Sequence, residues 1–432
     1  MAFGRILYKS FYWRIIQLGS SSLQNILLAR LLLSTSYAEI FSLVYIFSLV
    51  SGFFTFGLNI GLNYFVARGD LPVPAARGLI LRVTGLALVA GTIVLYVFRD
   101  AFAYPGLSVA TMLFFGGSQI VGILLTTLAG TVFTAKERNH LPVQLAVAAN
   151  IGLMILALID YQIFSGAQAR QYLFGLYFGF TLVQGLVLFF GMARLRSEPG
   201  GVGVTTAALF RFCFLSFVIG FLFLVGGRVT LYLLPYQTTP AALGNYIQVY
   251  KCVEYLGYVA AFLYYPMVTL AAGNDSSATK DKVLLLVRLS NTLALLVSIG
   301  GIALGAWVFP LVFGASFGGM YAIFWGFIPG IFAVCSSGFL TAWYFGAGRA
   351  RYNLFSAIIQ LAAALLLYFV LTPRWGPRGA ALAYSGGAMA SFVYDCWIFR
   401  RFHQFSLRDL LWIRPADWRQ VWNFSGQLFR LR

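Results

Sequence analysis

The chain has 432 residues, of which 60% are apolar and only 10% are charged, and its mean hydropathy is +0.83. Soluble domains are about 45–50% apolar and about 25% charged, so this composition excludes a water-soluble protein. A membrane helix needs about 20 residues, and ten to twelve of them would use more than half of the chain. We therefore expect a multi-pass membrane protein without a sizeable soluble domain, without enzymatic activity and without catalytic residues.

The net charge of +18 comes from 30 Lys and Arg residues against 12 Asp and Glu residues. In a soluble protein this excess would suggest nucleic acid, but in a membrane protein the positions of the cations report orientation. The cysteines lie in apolar runs without CxxC spacing: Cys213, Cys252, Cys335 and Cys396. The histidines, His140 and His403, fall in predicted loops. We expect no metal site and no nucleic-acid partner.

Twelve apolar stretches of spanning length follow one another along the chain. Each is continuously apolar, which predicts helices that satisfy their own backbone hydrogen bonds in lipid rather than barrel strands. The stretches are 10–33, 37–66, 76–98, 106–134, 141–163, 170–193, 207–234, 241–270, 281–309, 318–346, 352–372 and 378–399.

The cations alternate between the connections of these segments. Of the 30 Lys and Arg residues, 19 fall in the N-terminus, in the tail, or in or at the edge of every second connection, and only 4 fall in or at the edge of the opposite connections. By the positive-inside rule, both termini are expected in the cytoplasm.

Residues 403–432 form a basic tail. After Pro415, Trp418 and Trp422 fall near one side of a helix, while Arg419 and Arg430 stay on the polar side. This pattern predicts an interfacial helix on the anionic lipids of the cytoplasmic leaflet, and a poorly ordered basic tail is the alternative.

Two offsets of about half the chain length align the sequence with itself. An offset of 205 pairs Tyr45 with Tyr250, and an offset of 211 pairs Arg138 with Arg349. These matches predict two six-helix lobes in the same orientation, at 1–200 and 201–402, as in transporters with parallel repeats.

Several helix ends resemble a known family. NILLARLLLSTSYAEIFSLVYI is similar to an L-A-R-L-L-G-like helix end followed by a Y-G-x-F-like segment, and FPLVFGASFGGM is similar to a P-L-x-F-G block. YFGAGRARYN and TPRWGPRGAALA are similar to the family's L-x-G-x-G-R-x-x-x-N and I-P-x-x-G-x-x-G-A-A-x-A patterns. Over residues 1–402 the chain thus resembles the Wzx-type polysaccharide flippases of the multidrug/oligosaccharidyl-lipid/polysaccharide (MOP) exporter superfamily.

The resemblance implies an all-α, MATE-like fold of about twelve helices. It also implies that the protein flips an undecaprenyl-pyrophosphate-linked oligosaccharide across the bacterial inner membrane by alternating access, during O-antigen, capsule or exopolysaccharide synthesis. The expected partners are the lipid-linked oligosaccharide, membrane lipids and the polysaccharide polymerase and export machinery. No cofactor is expected, and H⁺ or Na⁺ is the candidate coupling ion.

Charged side chains inside the spans are the candidate functional residues. Arg228, Lys251 and Glu254 lie at least ten residues inside their segments, and Arg288 lies seven residues inside. A charge at the bilayer centre costs about 2.5–3.5 kcal/mol and persists mainly where it faces a cavity or a partner. Lys251 and Glu254 are three residues apart and can form an ion pair, which is the structural alternative.

A polar stripe runs along this part of the chain, because residues with hydroxyl or charged groups recur every four positions: Tyr246, Tyr250, Glu254 and Tyr258. Tyrosines can stack on sugars, and an arginine fork suits phosphate. We therefore expect Arg228, Lys251 and Arg288 to line a hydrated cavity between the lobes for the pyrophosphate, with Glu254 balancing charge or carrying a coupling proton.

Arg30 and three possible hinge residues complete the candidate set. Arg30 near the end of the first segment can contact the ligand or pair with Glu39 across the short turn. Pro266, Pro329 and Gly330 lie within segments and are candidate hinges, although proline and glycine are also tolerated in ordinary membrane helices.

Two other functions are alternatives to lipid flipping. A cation-coupled multidrug antiporter of the same superfamily would favour acidic sites, whereas this interior is mainly basic. A membrane-embedded polymerase or glycosyltransferase would need larger catalytic loops than the short connections provide.

Overall fold

The computed structural model describes residues 2–97, 99, 108–163, 166–196, 205–273, 277–406, 408–411 and 417. Within these ranges the regular structure is helical and contains no strand, so the prediction of an all-α polytopic membrane protein is confirmed.

The helices follow one another with short connections. The first seven are α1 (Ala2–Phe54), α2 (Leu58–Ala67), α3 (Val73–Val97), α4 (Val109–Ala135), α5 (His140–Ile163), α6 (Gly166–Gly191) and α7 (Thr206–Leu233). The others are α8 (Pro240–Gly273), α9 (Ser277–Phe313), α10 (Met320–Gly346), α11 (Arg351–Phe402) and α12 (Arg408–Leu411). Short 3-10 turns occupy Met192–Arg194, Leu234–Tyr236 and Ala315–Phe317.

Nine of the helices in the described ranges are long and apolar enough to cross a membrane. Two of them, α1 and α11, have 53 and 52 residues, which at 1.5 Å per residue exceeds the bilayer thickness about twofold. Each therefore accommodates more than one of the predicted segments.

Both long helices change direction at a single residue. In α11 the break falls at Gly376 (φ 55°), between Pro373 and Pro377, where the sequence predicts a loop. In α1 it falls at Leu33 (φ 57°), one residue before the predicted short turn. Glycine adopts a positive φ without steric cost, whereas leucine does so only where its surroundings hold it.

A break inside the second predicted segment was not anticipated. Residues 55–57 separate α1 from α2, and Gly57 has a φ of 69°. A Cβ atom at Gly57 would lie 2.6 Å from the backbone oxygen of Cys213 on α7. This glycine therefore provides both the left-handed backbone and the close approach to α7.

The chain divides into two compact units, Ile6–Leu224 and Val225–Arg432, the latter together with Met1–Arg5. The first has a buried apolar core that includes Leu62 of α2 and Val132 of α4. The second has its own core, which includes Val287 of α9, Trp343 of α10 and Phe399 of α11. We call them the first and second unit.

The described part of the basic tail packs in the second unit. Phe405 and Leu410 are buried in its core, and the Lys280 amine donates a hydrogen bond to the Gln404 carbonyl oxygen (3.0 Å). Trp418 and Trp422, on which the predicted interfacial helix depends, lie outside the described residues.

The two units contain the same turn at positions 211 residues apart. Between α4 and α5, the Arg138 N–H donates to the Phe133 carbonyl oxygen (2.8 Å), and between α10 and α11 the Arg349 N–H donates to the Tyr344 carbonyl oxygen (2.7 Å). The residue before each arginine has a positive φ, 58° at Glu137 and 70° at Gly348. Both are Schellman-type helix ends, so the alignment of Arg138 with Arg349 is confirmed as a repeat of local structure.

Candidate functional site

The candidate site is built where α7 and α8 pack together in the second unit. Thr239 precedes α8, its hydroxyl accepts a hydrogen bond from the Ala242 N–H (3.4 Å), and Pro240 is the first helical residue. A threonine cap followed by proline is a favourable helix start. The α8 helix then runs through the predicted polar stripe.

Three contacts join this stripe to α7. The Tyr246 and Thr230 hydroxyls are hydrogen-bonded at 2.7 Å. One turn later, the Tyr250 hydroxyl donates to the Gly227 carbonyl oxygen (3.0 Å). Because residues four apart share a helix face, the next turn of α8 presents Glu254 to the same helix.

Glu254 forms the ionic contact of this interface. Its Oε1 atom accepts a hydrogen bond from Nη2 of Arg228 at 2.9 Å. The sequence places Lys251 beside Glu254 on α8, but the ion pair seen in the structure joins Glu254 to Arg228 on the neighbouring helix.

An aromatic cluster supports the buried part of the stripe. The rings of Tyr246 and Phe327 lie 5.3 Å apart, and Tyr384 lies 5.4 Å from Tyr250 and 5.2 Å from Phe327. Tyr246 and Tyr250 are buried, so these two tyrosines fix α8 and do not present their rings to a sugar. Tyr250 is therefore a supporting residue in our description.

The outer part of the stripe is accessible. The side chains of Arg228 and Glu254 are each 19% exposed, Lys251 is half-buried, and Tyr258 is 44% exposed. We call Arg228, Lys251, Glu254 and Tyr258 the α7–α8 site. It combines two cations, one carboxylate and one accessible aromatic hydroxyl.

Arg288 does not join the α7–α8 site. Its Nε and Nη2 atoms donate to both carboxylate oxygens of Asp417 at 2.7 and 2.6 Å, and Nη1 donates to the Asp409 carbonyl oxygen at 3.0 Å. The side chains of Arg288 and Asp417 are only 8% and 4% exposed. Since this carboxylate occupies the arginine fork, we leave Arg288 out of the proposed binding site.

The remaining predicted residues are Arg30, Pro266, Pro329 and Gly330. Arg30 is an exposed residue of α1 in the first unit. The α8 helix continues through Pro266 and the α10 helix through Pro329. At Gly330 a Cβ atom would lie 2.6 Å from the Ser385 hydroxyl, so this glycine permits close packing of α10 on α11. A hinge role for these three residues stays a prediction.

Three buried acids are absent from the site that the sequence predicts: Asp160 of α5, Asp395 inside the last predicted segment and Asp417 of the basic tail. The available signal for Asp395 was simple, because an ionisable residue within a membrane span deserves a functional hypothesis.

Comparisons with solved structures identify the fold. One similar structure is an inward-facing multidrug resistance MATE family transporter of the MOP superfamily, which is 15% identical in sequence. The match covers 90% of this chain and 98% of the transporter chain, with a TM-score of 0.63. The lipid II flippase MurJ in an inward closed conformation is also 15% identical, with 94% and 89% coverage and a TM-score of 0.61.

A third structure comes from Pyrococcus furiosus. This MOP superfamily transporter, described as having a binding pocket of reversed polarity, is 13% identical, with 92% and 96% coverage and a TM-score of 0.62. No family model and no curated protein sequence matches the chain. At these identities the likeness establishes the MATE-like MOP fold over nearly the whole chain.

Proposed function

We propose that the protein is a membrane transporter of the MOP type that flips a lipid carrying an anionic, glycosylated headgroup. The substrate we favour is a polyprenyl-pyrophosphate-linked oligosaccharide, moved from the cytoplasmic to the outer leaflet of the inner membrane by alternating access. The fold shared with a lipid II flippase and with transporters supports a transport role.

The observation that carries the substrate class is the partly exposed Arg228–Glu254 pair on two long helices, with Lys251 one turn before Glu254. The site brings two basic side chains, Arg228 and Lys251, to one carboxylate. A pyrophosphate can form paired charge-assisted hydrogen bonds with a guanidinium, and the lysine adds a second positive charge. An anionic headgroup therefore complements the α7–α8 site.

Binding at this site would exchange one ion partner for another. Glu254 accepts a hydrogen bond from the guanidinium of Arg228, and an arriving phosphate would compete for the same hydrogen-bond donors. When the substrate leaves, the carboxylate pairs with Arg228 again, so the cation is never left without a counter-charge. Tyr258 is placed to contact the sugar attached to the phosphate.

A cation-coupled multidrug antiporter is the second candidate function, because multidrug MATE transporters share the fold. Such a protein needs an acid that is available to a cation. Glu254 is already paired with Arg228, which favours the anionic substrate.

The test is a flipping assay in vesicles that contain the full-length protein and a fluorescent polyprenyl-pyrophosphate oligosaccharide. A membrane-impermeant quencher measures how much of the label remains in the outer leaflet. We expect Arg228→Ala to slow flipping about 10- to 100-fold, the equivalent of the roughly 1.5–3 kcal/mol of a charged hydrogen bond. Arg211→Ala, an exposed position on the same helix, is the matched control and should flip normally.

Glu254→Gln separates binding from release. It keeps the shape of the side chain but removes the competing charge, so the lipid should bind more tightly while turnover falls. The proposal is rejected if the wild-type protein leaves lipid flipping unchanged, or if Arg228→Ala flips as fast as Arg211→Ala. Accumulation of a cationic dye against a proton gradient, without lipid flipping, would instead identify the antiporter.

A further inference from the structure

The second unit contains a buried carboxyl group outside the α7–α8 site. Asp395 lies on α11, seven residues before the end of the helix at Phe402, and is 0% exposed. Neither of its carboxyl oxygens has a hydrogen-bond partner among the described residues. The neighbouring Cys396 and Phe399 belong to the apolar core, so the carboxyl group sits in a dry environment.

Polar groups of both halves of α11 meet at this level. We call 351–375 the first arm and 377–402 the second arm of α11. The hydroxyls of Ser356 and Ser391 are hydrogen-bonded across the arms at 2.7 Å. Asn353 lies three residues before Ser356, and Asp395 lies four residues after Ser391, so each shares a helix face with its serine. Because the arms are antiparallel, Asn353 and Asp395 lie at the same level.

The cluster has more acceptors than donors. The Asn353 Nδ2 group donates to the Thr341 carbonyl oxygen (3.0 Å), but its Oδ1 atom is buried without a partner, as are both oxygens of Asp395. One added proton on the carboxyl group would turn it into an O–H donor. The Ser356 hydroxyl lies beside the carboxyl group, and a hydroxyl can donate a hydrogen bond to it or accept one from it.

No cation of the described residues compensates Asp395. The ion pairs of the described chain involve other acids, and Arg401, farther along the second arm, stacks on a tryptophan ring. The titratable groups that face Asp395 are Tyr344 of α10 and the adjacent Tyr394 and Cys396. Each of these is neutral in its ordinary state at neutral pH.

From this arrangement we propose that Asp395, with Asn353, Ser356 and Ser391, forms a proton-binding site, and that Asp395 carries a proton in the folded protein. An ionised carboxylate without a partner is strongly disfavoured in an apolar interior, and such a group takes up a proton instead. Glu254, by contrast, faces Arg228 at 2.9 Å. Of these two acids, Asp395 is the one that faces no cation among the described residues, and it is therefore the one suited to hold an exchangeable proton.

Loss of this proton is linked to the packing of the α11 arms. A Cβ atom at Gly387 of the second arm would lie 2.7 Å from the Gln360 carbonyl oxygen of the first arm, so the arms touch through their backbones. Water can hydrate an ionised Asp395 only if this contact loosens. Proton release should therefore accompany separation of the arms, which gives the second unit a proton-linked conformational change. This inference does not depend on the substrate proposed above.

The test is infrared spectroscopy of the full chain in lipid nanodiscs at neutral pH. We expect the wild type to show the carbonyl stretch of one protonated carboxyl group, Asp395→Asn to lose that band, and Asp281→Asn to keep it. Asp281 is the matched control because it is an exposed acid of the same unit. An Asp395→Asn spectrum identical to that of the wild type would overturn the proposal.

Two further measurements keep the test decisive. If Asp395→Asn fails to fold, Ser356→Ala retains the acid and removes its neighbouring hydroxyl, so the band should shift in frequency without losing area. An unshifted band would show that the proton is elsewhere. Replacing choline chloride by sodium chloride should leave the wild-type band unchanged, and its loss in sodium would mean that the site holds a sodium ion instead.

Discussion

A neutral contact of the first unit can be compared with the charged contacts of the second. In the first unit, the Asn150 amide of α5 donates to the hydroxyls of Ser20 and Ser21 on α1 at 3.0 and 2.9 Å. The second unit has neutral hydrogen bonds as well, but ion pairs also connect its elements, Arg228 with Glu254 and Arg288 with Asp417. Losing a neutral hydrogen bond between membrane helices costs little free energy, whereas losing one partner of a buried ion pair costs much more. The charged second unit is therefore where we place the chemistry of the substrate and of the proton.

The largest effect should follow from breaking the buried pair of the second unit. Arg288→Ala removes the cation that faces the buried Asp417 carboxylate and should cost about 3–5 kcal/mol of unfolding free energy. Thermal unfolding in detergent measures this loss of stability. Lys282→Ala, which replaces an exposed cation of the same helix, is the control and should change the stability very little.

A double substitution sharpens the interpretation. Replacing both partners, with Arg288→Met and Asp417→Leu, removes both charges and should recover most of the stability, because an apolar pair can substitute for a buried ion pair. If Arg288→Ala alone were as stable as Lys282→Ala, the tail would not be docked through this pair.

A smaller effect is expected from the neutral contact of the first unit. Asn150→Ala removes both hydrogen bonds to α1 but leaves no charge behind, and should cost about 0.6–1.7 kcal/mol. The measurement compares the unfolding free energy of Asn150→Ala with that of Thr35→Ala, which changes an exposed polar position of α1. A loss as large as that of Arg288→Ala would remove the contrast between the two units.

The smallest effect concerns the turn that both units share. Glu137 adopts the positive φ that Gly348 adopts in the second unit. Glu137→Gly should stabilise the protein by about 0.5–1 kcal/mol, and Gly348→Ala should destabilise it by a similar amount. Opposite shifts of the unfolding temperature are expected, and shifts of the same sign would show that the two turns are not equivalent.

Much of the fold was predictable because it depends on local sequence. Continuous apolar runs predict helices in lipid whatever their neighbours are, and the Gly376 break lies in a Pro/Gly-rich stretch. The break at Leu33 was predicted one residue late, since no glycine or proline marks it. The 211-residue repeat was also visible, because the Schellman turn is set by a few adjacent residues.

The site was predictable only in part. The stripe from Tyr246 to Tyr258 follows from helical spacing on one helix, and its position in the second unit was expected. The ion-pair partner of each charged residue was not predictable. Glu254 pairs with Arg228, which is 26 residues away in sequence, and Arg288 pairs with Asp417, which is 129 residues away.

The sequence by itself determined that this is a helical membrane protein with an internal repeat and with charges inside the second half of the chain. Only the tertiary structure decided which charges meet, which acids are buried, and which tyrosines are buried. The physical reason is that helix formation and membrane insertion are set by local composition, whereas ion pairing and burial depend on which helices pack side by side.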